Sequence, residues 1–151
     1  MKKLTALVLA LMFILSFAGC DQNNNRDKQV SDVITNKWGI TLEVENVSSK
    51  GMTLVCHQFG GDEVFELNTG SFYGIQKLDD SQWVDITDEN HVWTSEAWII
   101  QKGGTTKWDI NWVGYCGELP AGEYRIVKPI TNFRGTGDYD TETFYAEFVI
   151  N

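Results

Sequence analysis

Proline and positive charge are both scarce in this chain. Two prolines among 151 residues, with 14 glycines and no short-period repeat, exclude a collagen-like or proline-rich polymer. Twelve Lys and Arg against 21 Asp and Glu leave a formal charge of -9, so nothing could neutralise a run of phosphates and a nucleic-acid binder is excluded. The same imbalance disfavours charge-driven docking onto anionic lipid head groups. Histidine is limited to His57 and His91, without metal-ligand spacing. The best zinc set would be Cys56, His57 and Cys116, but adjacent strand residues point to opposite faces. Gly135-Thr136-Gly137 lacks the lysine and helix of a phosphate cradle. No thiol or hydroxyl stands in a nucleophile–base pattern, so the chain reads as a non-enzyme with no catalytic residue, metal or cofactor. Long apolar runs are missing too: the longest, Leu4 to Phe17, falls short of the ~20 residues of a spanning helix.

That short run has a meaning of its own. Met1-Lys2-Lys3 precedes it and Ala18-Gly19-Cys20 follows, which is the order of a secretory signal. The small pair ahead of a cysteine resembles the lipobox of bacterial lipoproteins, with Phe17 in place of the usual aliphatic residue. The resemblance implies removal of residues 1–19 and diacylation of Cys20, palmitate being a typical chain, with a product held on the extracytoplasmic face of the cell membrane. Two or three acyl chains suffice for stable anchoring. Without Lys2 and Lys3 the remaining chain carries 10 basic and 21 acidic side chains, a charge of -11 (-9 minus 2). Residues 20–37 begin with the polar Asp21 to Gln29 and read as the lipidated cysteine and its tether.

From Trp38 to Asn151 the hydrophobic period is two. Ile40, Leu42 and Val44 alternate with polar residues, Asn46 to Gly51 is a turn cluster, and Met52, Leu54 and Cys56 alternate again, which predicts a hairpin. Further strands are expected over 71–78, 82–86, 97–100, around Trp108, Ile110 and Trp112, over 123–130 and over 143–150. Residues 58–70 and 131–141 read as loops. Seven or eight short strands without crossover helices call for an antiparallel β-sandwich, with a closed barrel second.

Four blocks then carry a family resemblance: Gly70-Ser-Phe-Tyr73 with Gln76-Lys-Leu78 and Trp83; Trp93-Thr-Ser-Glu-Ala-Trp98; Gly117-Glu-Leu-Pro-Ala-Gly-Glu-Tyr-Arg-Ile126; and Phe133-Arg-Gly-Thr-Gly-Asp-Tyr-Asp140. In this order the chain from about Gly39 to Ile150 resembles a bacterial immunoglobulin-like domain family of surface lipoproteins in Gram-positive, clostridial-type bacteria. The resemblance implies an immunoglobulin-like sandwich without catalytic residues.

Three further features stay open. Cys56 and Cys116 are a disulfide pair in one reading, closing a loop of about 60 residues worth roughly 4 kcal/mol, and two separate thiols in the other. Asp138, Asp140 and Glu142 are solvated carboxylates or a weak calcium site. Trp93 and Trp98 cover the edge of the core or offer a platform to sugars. The leading expectation is a monomeric, membrane-anchored interaction module that meets an unknown protein or wall glycan through residues 58–70, 85–96 and 131–141. The alternatives are a carbohydrate-binding module and a structural spacer or sensor subunit beside another envelope protein.

Overall fold

A computed structural model of the chain describes residues 36–87 and 91–151. The signal peptide, Cys20 and nearly all of the expected tether lie outside these residues. Among them are nine strands: β1 (Ile40–Glu45), β2 (Gly51–Gln58), β3 (Glu66–Thr69), β4 (Gly74–Asp79), β5 (Gln82–Asp85), β6 (Trp98–Ile99), β7 (Gly104–Asn111), β8 (Gly122–Gly135) and β9 (Asp138–Ile150). All pairings are antiparallel. One sheet has the order β1-β2-β7. In the other, β8 is the axis, with β9 along one side and β4 and then β3 along the other, each carrying a further strand, β5 and β6. This is the expected all-β sandwich.

Alternation decides which side chains meet between the sheets. On β8, Tyr124, Ile126, Lys128, Ile130 and Asn132 are buried, while the residues between them are half-buried. The larger apolar cluster gathers Met52, Leu54, Ile75, Trp112, Tyr124, Ile126 and Phe148. A smaller one gathers Trp38, Ile40, Cys56, Leu67, Ile100 and Ile130. Leu42 and Trp108 touch both. The chain enters at the end of the smaller cluster, where Ile40 pairs with Gln58. It leaves at the opposite end, where Ile150 pairs with Gly122.

Three expectations need correction. Residues 131–141, expected as a loop, are mostly ladder: β8 and β9 pair from Gly122–Ile150 to Gly135–Asp138 and only a tight turn remains. Residues 58–70 contain β3, whose Glu-Leu-Asn-Thr sequence is too polar and short for an apolar period to show. A single helical turn, α1 (Val113–Cys116), follows β7 where no helix was expected.

A proline inside a central strand normally argues against the strand. Pro129 is tolerated because β4 pairs with β8 up to Val127 and β3 only from Thr131 onward. Its missing N–H falls in the gap between them, and its carbonyl still accepts the Thr69 hydroxyl at 2.6 Å.

Candidate functional site

The three connections at the chain-entry end are held from inside. Gln58 is buried, and its amide donates to the carbonyls of Trp38 and Gly60 at 3.0 and 2.9 Å while its oxygen accepts from Gly103 N–H at 2.7 Å. Asn132, also buried, accepts from Phe65 N–H at 2.9 Å and donates to the Glu63 carbonyl at 2.8 Å. Two core amides therefore satisfy the backbone of the β2–β3, β6–β7 and N-terminal segments together, which fixes loops that water would otherwise have to solvate. Gly39 and Gly61 allow the close approach: a Cβ on Gly39 would lie 2.2 Å from the Phe59 carbonyl oxygen, and one on Gly61 2.5 Å from the Trp38 carbonyl carbon. Both have positive φ.

Midway along β8, Lys128 is fully buried, with no carboxylate partner among the described residues. Its ammonium donates to the carbonyls of Gly70 and Phe72 at 2.6 and 2.8 Å. It also faces the rings of Trp98 and Trp108, 5.2 and 5.9 Å from their centroids. The lysine thus ties down the segment that detours between β3 and β4. Burial lowers its pKa to about 8.

The outer face of the larger sheet carries a second cation between rings. The Arg125 guanidinium lies 4.6 Å from the Trp83 centroid and 4.4 Å from that of Tyr145, and its Nε donates to Gln76 Oε1 at 2.7 Å. The sequence reading missed both lysine and arginine, since each is an ordinary polar residue until the register sets aromatics beside it. Alternation on β8 alone could have flagged Lys128 as inward-facing.

Trp93 and Trp98 are half-buried and engaged. Trp93 packs against Phe72, Tyr73, His91 and Tyr115 at 4.5 to 5.3 Å between centroids. Trp98 stacks on Trp108 and donates to Glu96. Among the described residues their rings do not touch each other.

Cys56 and Cys116 are both free. Cys56 lies five residues up β2 from Gly51, the partner of Asn111, whereas Cys116 follows the Asn111 end of β7. Five residues of strand span about 17 Å, against the roughly 7 Å limit between Cα atoms in a disulfide. Burial pushes the Cys56 thiol up to about 12 and raises that of Cys116, so neither is an activated nucleophile. His57 faces outward to Thr105 and Glu43, away from its buried neighbour Cys56.

Asp138 and Asp140 close on Arg134 at 2.7 and 2.9 Å, and Glu142 on Lys37 at 2.9 Å. A guanidinium and an ammonium occupy the carboxylates that a calcium ion would need. Of the three expected contact segments, residues 58–70 and 131–141 meet at the entry end, where Arg134 lies 5.8 Å from the Phe65 ring. From 85–96, Trp93 packs elsewhere, on Tyr73 and on Tyr115 of α1.

No curated protein is similar enough to the chain to count as a relative. The family description that fits it is the bacterial Ig-like domain, matched over residues 35–149. The paired antiparallel sheets, the inward alternation on β8 and β9 and a match over most of the chain agree, and the chain belongs to the bacterial Ig-like domain family.

Proposed function

We propose that the protein is a lipoprotein anchored through Cys20 to the extracytoplasmic face of the cell membrane, and that its sandwich is a non-enzymatic interaction module. On this reading residues 1–19 are the signal peptide, 20–37 the acylated cysteine and tether, and 38–151 the working domain. The setting is the surface of a Gram-positive, clostridial-type bacterium. The observation that carries the reading is the succession of parts: a bacterial Ig-like domain matched from residue 35 follows Ala18-Gly19-Cys20 by 15 residues (35 minus 20). The mechanism is that of a rigid scaffold presenting loops, to a protein or a wall glycan. The buried amides of Gln58 and Asn132 reduce the ordering cost of binding, because their loops are set before a partner arrives.

Metabolic labelling with an alkyne palmitate analogue tests the anchor. The wild-type chain takes up label and stays with the membrane fraction, whereas Cys20→Ala takes up none. Label retained in Cys20→Ala would refute the anchor site. Crosslinking from intact cells tests the module, and hydrolysis of a wall or peptide substrate above background by the purified protein would refute it.

A further inference from the structure

Four aromatic side chains at the chain-entry end stand in water: Phe59, Phe65, Phe133 and Tyr139, exposed by 59, 53, 36 and 57%. Phe59 follows β2, Phe65 precedes β3, and Phe133 faces Tyr139 across the β8–β9 hairpin. Most proteins of this size cover such a concentration of rings or use it.

The charges around the rings decide what kind of surface they fit. Lys37 is paired with Glu142, Arg134 with Asp138 and Asp140, and Lys102 donates to the Val64 carbonyl. Asp62 and Glu63 add further negative charge. The end therefore offers apolar rings among occupied cations, and it has no excess positive charge for an anionic partner.

The chain itself limits what the rings can reach. Asp62 N–H donates to the Lys37 carbonyl, so the N-terminal segment meets the sandwich among these loops. The described chain starts at Asn36, 16 residues after Cys20 (36 minus 20). Sixteen residues extend to at most about 55 Å. The opposite end lies some 45 Å further out, the length of a fourteen-residue strand. An acylated Cys20 is thus joined to the sandwich at its aromatic end, which is the first part of the domain that the bilayer can meet.

We propose that this end of the sandwich docks on the membrane that holds the anchor, with Phe59, Phe65, Phe133 and Tyr139 entering the head-group region. The inference rests on the anchoring reading above. Aromatic rings are at home at that depth. Four shallow rings would bind a bilayer weakly alone, but the anchor turns their insertion into an intramolecular step. Docking also sets orientation: the β1–β2 turn, the β4–β5 turn and the C-terminus then face outward. Attachment through rings makes the contact insensitive to added salt, and at least as strong on zwitterionic as on anionic lipid.

The test uses the full lipidated chain in phosphatidylcholine vesicles with brominated acyl chains. In a Cys116→Ser background, a bimane label is placed at Thr136→Cys in the hairpin turn or at Lys50→Cys at the opposite end. Quenching about twofold or more stronger at 136 than at 50 is expected, given the depth of interfacial insertion. The difference should survive added salt and vanish in Phe59→Ser/Phe65→Ser/Tyr139→Ser. Equal quenching at the two positions, or a difference unchanged by the triple substitution, overturns the proposal. If the triple variant does not fold, by its circular dichroism, the comparison of 136 with 50 in the otherwise wild-type chain decides alone. Flotation separates the two readings: a chain that does not float with the vesicles refutes the anchor and the docking together, and one that floats with equal quenching refutes only the docking.

Discussion

Lys128 is the residue whose protonation most directly reports the packing of the core. It holds its proton to about pH 8 in the folded chain, against an ordinary value of 10.5, because burial disfavours the charged form. Between these values the unfolded chain binds more protons, so stability rises with pH. The full gain is on the order of 3 kcal/mol. Opposing it, burial pushes the Cys56 thiol and the Tyr73 phenol up to about 12, with Cys116 adding to the effect on Tyr73. These acids ionise more readily in the unfolded chain, so their contribution falls away from about pH 9 upward. Urea melts should therefore show stability climbing between about pH 8 and 9 and then declining. Lys128→Met should flatten the climb, and a climb that persists in that variant would refute the assignment. At the same scale, the unbonded thiols predict that the wild-type chain melts identically with and without reductant, as Cys56→Ala/Cys116→Ser must. A wild-type melting temperature that drops by several degrees in reductant, with the double variant unaffected, would restore the disulfide.

Among the elements, β1 depends on a turn that tolerates only one residue type. Gly39 has φ +62° and its Cβ position falls 2.2 Å from the Phe59 carbonyl oxygen, so Gly39→Ala should cost about 2 kcal/mol or more. A loss below about 0.5 kcal/mol would show that the entry loop yields easily. Elements such as β2 and β9 were legible in the sequence because apolar residues alternate cleanly over several positions. The short β3 was not, since what holds it is the ladder to β8 and the buried Asn132 rather than an apolar face of its own. Gly135-Thr136-Gly137-Asp138 reads as part of a longer loop, because Thr131, Thr141 and Thr143 on either side give no apolar period to extend the strands toward it. The expected site suffered in the same way. Composition exposed the candidates Cys56, Cys116, Trp93 and Trp98. Their separation is fixed by strand register, and the aromatic end exists only once Phe59, Phe65, Phe133 and Tyr139, distant in sequence, are folded together.

Over the whole molecule, negative charge governs association. With -11 on residues 20–151 (-9 minus the two lysines before Cys20), copies repel one another at low salt. Light scattering on residues 20–151 should give the mass of one protomer under those conditions. A dimer that persists at low salt would assign the exposed rings to self-association.

The placement of the two chain ends has a mechanical consequence. β1 and β9 both run from the entry end toward the exit end, so a pull between the tether and Asn151 acts along the strands. Load applied this way shears whole ladders, which resist together, instead of opening one bond at a time. β9 shares thirteen register positions with β8 and β1 only six with β2. If the anchoring proposed above holds, tension between the membrane and Asn151 should therefore shear β1 away first, lengthening the connection while the β8–β9 hairpin stays intact.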